Sequence, residues 1–142
     1  MYEEENRQGK VIMDSFLDYL KPREAELIKI KVELGGRIVN EELEAVRIYA
    51  GTMVAYRAYV VECLAFFNKY LDEATFYFMP DKTKVSTEAT RKAEVEEKVS
   101  VIRMWRNLSK GLVDSIDKRV SYAQSELSFG KQYAKSIGQE NN

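Results

Sequence analysis

The side chains able to do chemistry in this 142-residue chain are arginines, lysines, tyrosines and carboxylates, because it contains no histidine and one cysteine. Without histidine there is no imidazole acid–base relay, no histidine-based triad and no His-containing metal site. Helical di-iron sites that use Glu-x-x-His on paired helices are excluded for the same reason. The carboxylates are numerous but scattered, and Glu94, Glu96 and Glu97 sit too close in sequence to form an acid–base pair. Gly35-Gly36 is not followed by Lys-Ser/Thr, so it is no phosphate-cradling loop. Cys63 falls among apolar residues with nothing adjacent to lower its pKa, which predicts an inert thiol. The expectation is a protein with no catalytic residue, no metal and no cofactor.

What remains is cations and aromatic rings. Net charge is −1, with 22 basic and 23 acidic side chains, but the charges are segregated. Residues 1–20 carry a net −3 and residues 82–119 a net +4. The basic stretch holds Lys82, Lys84, Arg91, Lys92, Arg103, Arg106, Lys110 and Arg119. Arg103, Arg106 and Lys110 stand at i, i+3 and i+7, one helix face about 10 Å long that would track phosphates or simply lie in solvent. Arg57 and Arg106 each interrupt an apolar stripe. Arg57 reads either as a register-fixing group paired with a carboxylate or a carbonyl across a helix bundle or as a basic group at a channel or subunit junction. If the chain folds back near residue 82, Arg57 and Arg106 come together around an anion or around partner acids. Nine tyrosines and one tryptophan supply flat rings. Tyr49, Tyr56, Tyr70 and Tyr77, with Cys63, form a row at seven-residue spacing. That row is either packing at the edge of a helix interface or a stacking surface for single-stranded bases beside basic groups.

The elements that must position these groups are few and long, since two prolines and seven glycines leave few turns. Residues 8–35 read as an N-terminal helical region broken at Pro22 and stopped by Gly35-Gly36. Residues 40–78 read as one long helix capped by Asn40. Its stripe keeps a 3-4 spacing: Leu43, Val46, Ala50, Met53, Arg57, Val60, Leu64, Phe67, Leu71, Ala74, Phe78. The turn around Pro80 leads to a second long helix, 86–129, capped by Ser86 or Thr87. It carries the stripe Val95, Val99, Ile102, Arg106, Ser109, Val113, Ile116, Val120, Ala123, Leu127, with Trp105 in a flanking row. Gly130 stops it, and 130–142 form a polar tail. The fold class is all-α: an elongated antiparallel long-helix hairpin with the N-terminal region against it, in a single domain. The apolar face of the 40–78 helix is too wide for a two-stranded seam, and neither long helix fits inside a compact globule of this size, which together predict a homo-oligomer. One cysteine, an acidic start (MYEEEN) and no run of ~18 uncharged apolar residues predict a cytoplasmic protein without a membrane segment.

Residues 40–129 resemble the small recombination-mediator proteins of tailed phages, the UvsY-type family. The likeness lies in the run Tyr49 to Arg57 (YAGTMVAYR), with its mid-helix arginine, and in Lys84 to Ala89 (KVSTEA) after the turn. It continues in Trp105 mid-helix and in Leu112 to Ala123 (LVDSIDKRVSYA). The resemblance implies a ring-forming protein without catalytic activity that binds single-stranded DNA. It also implies partners, a recombinase to be loaded onto strands already coated by single-strand-binding protein, and a location in the host cytoplasm. Carried over onto this chain are Lys84, Arg91 and Lys92 around the turn and Arg119 near the helix end. The net charge of −1 departs from the basic balance of such a binder. The other reading of the same residues is a structural or adaptor protein that acts only through protein–protein contacts and self-assembly.

Overall fold

A computed structural model describes residues 2–36, 42–78 and 87–140. Asn40, Pro80, Lys82, Lys84 and Ser86 lie outside the described residues. Those described form four α-helices and no strand: α1 Tyr2–Leu20, α2 Glu24–Leu34, α3 Leu43–Phe78 and α4 Glu88–Glu140. The molecule is all-α, as the turn count predicts.

Local chemistry accounts for most boundaries. Pro22 falls in the three-residue turn between α1 and α2, where its missing N–H costs no helical bond. α2 ends at Leu34, and Gly35 donates its N–H to the carbonyls of Lys31 and Val32 in a right-handed closing turn. α4 starts behind Thr87, whose hydroxyl accepts from the Thr90 N–H at 3.1 Å, the bond an N-cap residue makes to the third helical residue. Glu88 follows in the first turn, where the helix dipole favours a carboxylate.

α4 does not stop at Gly130. It continues to Glu140, 53 residues or about 80 Å, so residues 131–140 are helical rather than a polar tail. Gly130 serves another purpose. A Cβ there would lie 2.4 Å from Leu43 Cδ2, so the glycine lets the start of α3 approach α4. Gly9 does the same in α1, where a Cβ would sit 2.7 Å from the Phe78 ring.

The core is a seam of heptad-spaced residues. Val46, Met53, Val60, Phe67 and Ala74 are buried on α3; Val95, Ile102, Ser109, Ile116 and Ala123 are buried on α4. This is the spacing at which two helices keep one seam in contact over many turns. Leu71, Phe78, Cys63, Trp105 and Leu112 widen it. Four members of the expected α3 stripe lie outside it: Leu43 is 43% exposed, the Arg57 side chain 47%, and Ala50 and Leu64 are half-buried.

α3 and α4 pack together, α1 lies on α3 and α2 on α4. Lys98 lies over the Phe78 ring, Arg57 pairs with Asp117, and Gly130 meets Leu43. Positions fall along α3 as they rise along α4, so the two helices run antiparallel. α1 is fastened by aromatic contacts. Phe16 meets Phe67 edge-on at 5.6 Å, and Tyr19 stacks on Phe66 at 4.5 Å. Such pairs add about 0.5–1.5 kcal/mol each beyond their buried area.

Candidate nucleic-acid interface

The expected cations fall into two groups. In the first, the charge is used inside the chain. Arg57 Nε donates to Asp117 Oδ1 at 2.6 Å across the α3–α4 seam, with both side chains about half exposed. This is the carboxylate-paired, register-fixing arrangement. Arg119 uses both terminal nitrogens of its guanidinium. Nη1 donates to the Tyr49 hydroxyl at 2.9 Å, and Nη2 to the carbonyls of Leu34 and Gly36. A guanidinium at the last carbonyls of α2 satisfies acceptors that a helix end leaves open, and its charge suits that end of the dipole. The ties join the α2 terminus, α3 and α4 at one point.

The second group lies along the first half of α4. Lys92 pairs with Glu88 at 3.1 Å, both more than two-thirds exposed. Arg103 Nε donates to both Glu96 carboxylate oxygens, at 2.7 and 2.8 Å. Lys92, Arg103 and Glu96 line an open groove of about 490 Å³ with Thr75, Ala93 and Val95, where α3 ends and α4 begins. Arg106 and Lys110 follow on the face of Arg103. Lys110 is exposed, while Arg106 is half-buried and its buried Nε has no hydrogen-bond partner. Arg91 is half-buried one residue before Lys92. An exposed ion pair such as Lys92–Glu88 is worth about 0–1 kcal/mol, while the two-point, part-buried Arg103–Glu96 pair is held more firmly.

Arg57 and Arg106 are not brought together. The acid opposite Arg57 is Asp117, some eleven residues and about 16 Å of helix beyond Arg106. The fold-back point implied by the side-chain pairs lies nearer residue 87 than 82, which displaces every facing pair. Sequence reasoning had given Asp117 no role as that acid, and it passed over Glu33 and Arg23 altogether. Tyr56 donates its hydroxyl to the Glu33 carboxylate. Arg23 lies 3.8 Å above the Tyr19 ring and donates to the Tyr19 carbonyl at 2.8 Å. The i, i+4 spacing of Tyr19 and Arg23 across the Pro22 break was the available signal for that contact.

The tyrosine row is interface packing over much of its length. Tyr49, Tyr56 and Tyr70 are half-buried against the core, and Cys63 within it is 1% exposed. Its ionisation reflects this. The hydrogen bond to Glu33 holds the Tyr56 phenol up at about 12, and burial pushes Tyr59 up. Burial likewise raises the Tyr19 phenol and the Cys63 thiol beside it. A thiol held protonated is a poor nucleophile.

Among the described residues, α3 also carries a long apolar stretch. It is long and apolar enough to cross a membrane by length and composition alone, and only 22% of that stretch is buried inside the molecule. Compared with known proteins, the chain matches no family model, no curated protein and no solved structure.

Proposed function

We propose that this chain is a non-enzymatic phage-type recombination accessory protein that binds single-stranded DNA and helps load a recombinase, working as a cytoplasmic homo-oligomer of elongated helical hairpins. The observation that supports the reading best is the basic face on the first half of α4. Lys92 and Arg103 border an open groove, and Arg106 and Lys110 continue from it. The carboxylate partner of Lys92 is exposed and exchangeable, which suits binding that tracks a backbone without reading bases. The resemblance to the UvsY-type mediators in residues 40–129 supplies the recombinase and the single-strand-binding protein as partners.

The test is fluorescence anisotropy of a labelled single-stranded oligonucleotide. The expected result is binding whose logarithmic affinity falls linearly with log salt, at roughly 0.7 per phosphate neutralised. Charge reversal at Lys92 and Arg103 lowers both affinity and slope. No binding by the intact protein at low salt refutes the DNA reading. The second reading, an adaptor acting only through protein contacts, is favoured by the exposed apolar side of α3 and survives that result.

A further inference from the structure

The side of α3 turned away from the core is apolar. Ile48 is 64% exposed, Val54 57% and Val61 36%, and Gly51, Ala55 and Ala58 between them are also exposed. From Ile48 to Ala65 the only charges are Arg57, which turns to Asp117, and Glu62. No described element covers this face. A helix apolar on its outer side as well as its inner one needs a second partner surface.

The order of residues says which. About the midpoint between Val54 and Ala55 the face is its own mirror image. Val54 answers Ala55, Gly51 answers Ala58, Ile48 answers Val61, and Arg47 answers Glu62. All eight project from one side of α3 at 100° per residue. We infer that this face pairs with the same face of a second copy of the chain, antiparallel about a two-fold axis at Val54–Ala55. In that arrangement each central Val54 meets the other copy's Ala55, Gly51 meets Ala58 beside it, and the larger aliphatics Ile48 and Val61 meet towards the ends. Arg47 meets the other copy's Glu62 twice, once at each end. A two-fold contact is self-complementary, and the charges permit only this direction. Parallel pairing would set Arg47 against Arg47 and Glu62 against Glu62. The existing Arg47–Glu44 contact, 3.5 Å and more than two-thirds exposed on both sides, is weak enough to exchange. The strip is about 25 Å long and one helix wide, smaller than the ~800 Å² per partner of a standard interface, so the dimer forms reversibly with concentration. The inference rests on the self-assembly part of the proposed function and names its surface; it does not need DNA binding.

Sedimentation over a concentration series tests it, with Arg47→Glu and the double variant Arg47→Glu/Glu62→Arg. The single variant breaks both ion pairs and adds two like-charge contacts, so association weakens about tenfold or more; the double variant restores it. Direction is read by cysteine scanning under mild oxidation, with Cys63 buried and silent. Ala55→Cys gives a linked dimer and Ala58→Cys does not, because two Ala58 residues stand about 10 Å apart along the axis. Equal linking at both positions overturns the antiparallel geometry. Association unchanged by Arg47→Glu overturns this face while leaving self-assembly standing. A wild type that stays monomeric at every concentration refutes self-assembly itself. Co-flotation of that monomer with zwitterionic lipid vesicles, abolished by Val54→Glu, assigns the face to a membrane and overturns the inference.

Discussion

Arg106→Met is the most informative single substitution. Arg106 stands in the apolar seam of α4, and its buried Nε has no acceptor. An unsatisfied buried donor costs about 1–3 kcal/mol, more when the group is charged. Methionine keeps the length and the apolar stem that packs along the seam but removes the donor. The residue as a whole is half-buried, so its outer end is less costly than Nε. The expected net effect is therefore a gain of about 1 kcal/mol, at the low end of that range because loss of the outer atoms forfeits some packing. For a chain of this size that raises Tm by roughly 3–5 °C. Urea unfolding should show a higher midpoint with an unchanged slope, since the surface exposed on unfolding is the same. The same protein in the anisotropy assay should lose one phosphate contact, lowering the salt slope by about 0.7 for a single strand. A loss of about 1 kcal/mol or more refutes the reasoning, because it means that Nε has an acceptor in the assembled protein.

Thr87→Ala removes the α4 cap and should cost about 1 kcal/mol in the same unfolding assay. Phe67→Ala empties the site where α1 meets α3, at about 3–5 kcal/mol. The glycines separate cleanly. Gly111 has nothing within 4 Å of an added Cβ, so Gly111→Ala should stabilise by about 0.5–1 kcal/mol; Gly9→Ala should gain nothing or destabilise, because the Phe78 ring must move. Raised phenol pKa values make stability fall in alkali. Tyr56 titrates near 12 in the folded chain against 10 unfolded, so the folded state keeps a proton that the unfolded state has released. The Tyr56 contribution to stability is fully present below pH 10 and is lost as pH rises through 12, and Tyr19 and Tyr59 act with the same sign. Glu33→Gln should bring one tyrosine back to an ordinary titration in a spectrophotometric assay of phenolate, and an unchanged curve would remove the Tyr56–Glu33 bond from the account.

Both long helices, the break at Pro22, the stop at Gly35-Gly36 and the Thr87 cap were legible in the residues, because each depends on interactions within a few positions. The buried members of the two stripes were legible too, since periodicity determines which side of a helix is apolar. Arg57 was correctly a candidate for a register-fixing pair, yet its partner was not Arg106's neighbourhood. Nothing in the stripes distinguishes one alignment of two long helices from another three turns away. A slide of eleven residues returns each helix almost to the same face. The alignment is decided by side chains meeting across the seam: Arg57 on Asp117, Arg119 at the α2 terminus, Lys98 over Phe78. Gly130 shows the same division. Read locally, a glycine before a polar stretch ends a helix. In the folded chain it lies within a continuous helix against the Leu43 side chain, where an added Cβ would require the leucine to shift. Sequence alone therefore determined that the chain is helical and which faces meet the core, because both follow from local backbone and periodic hydrophobicity; it did not determine where α4 ends, ten residues beyond the expected stop. Tertiary structure alone decided which cations are bound internally by Asp117, Tyr49 and the α2 carbonyls and which remain along α4, because that depends on register.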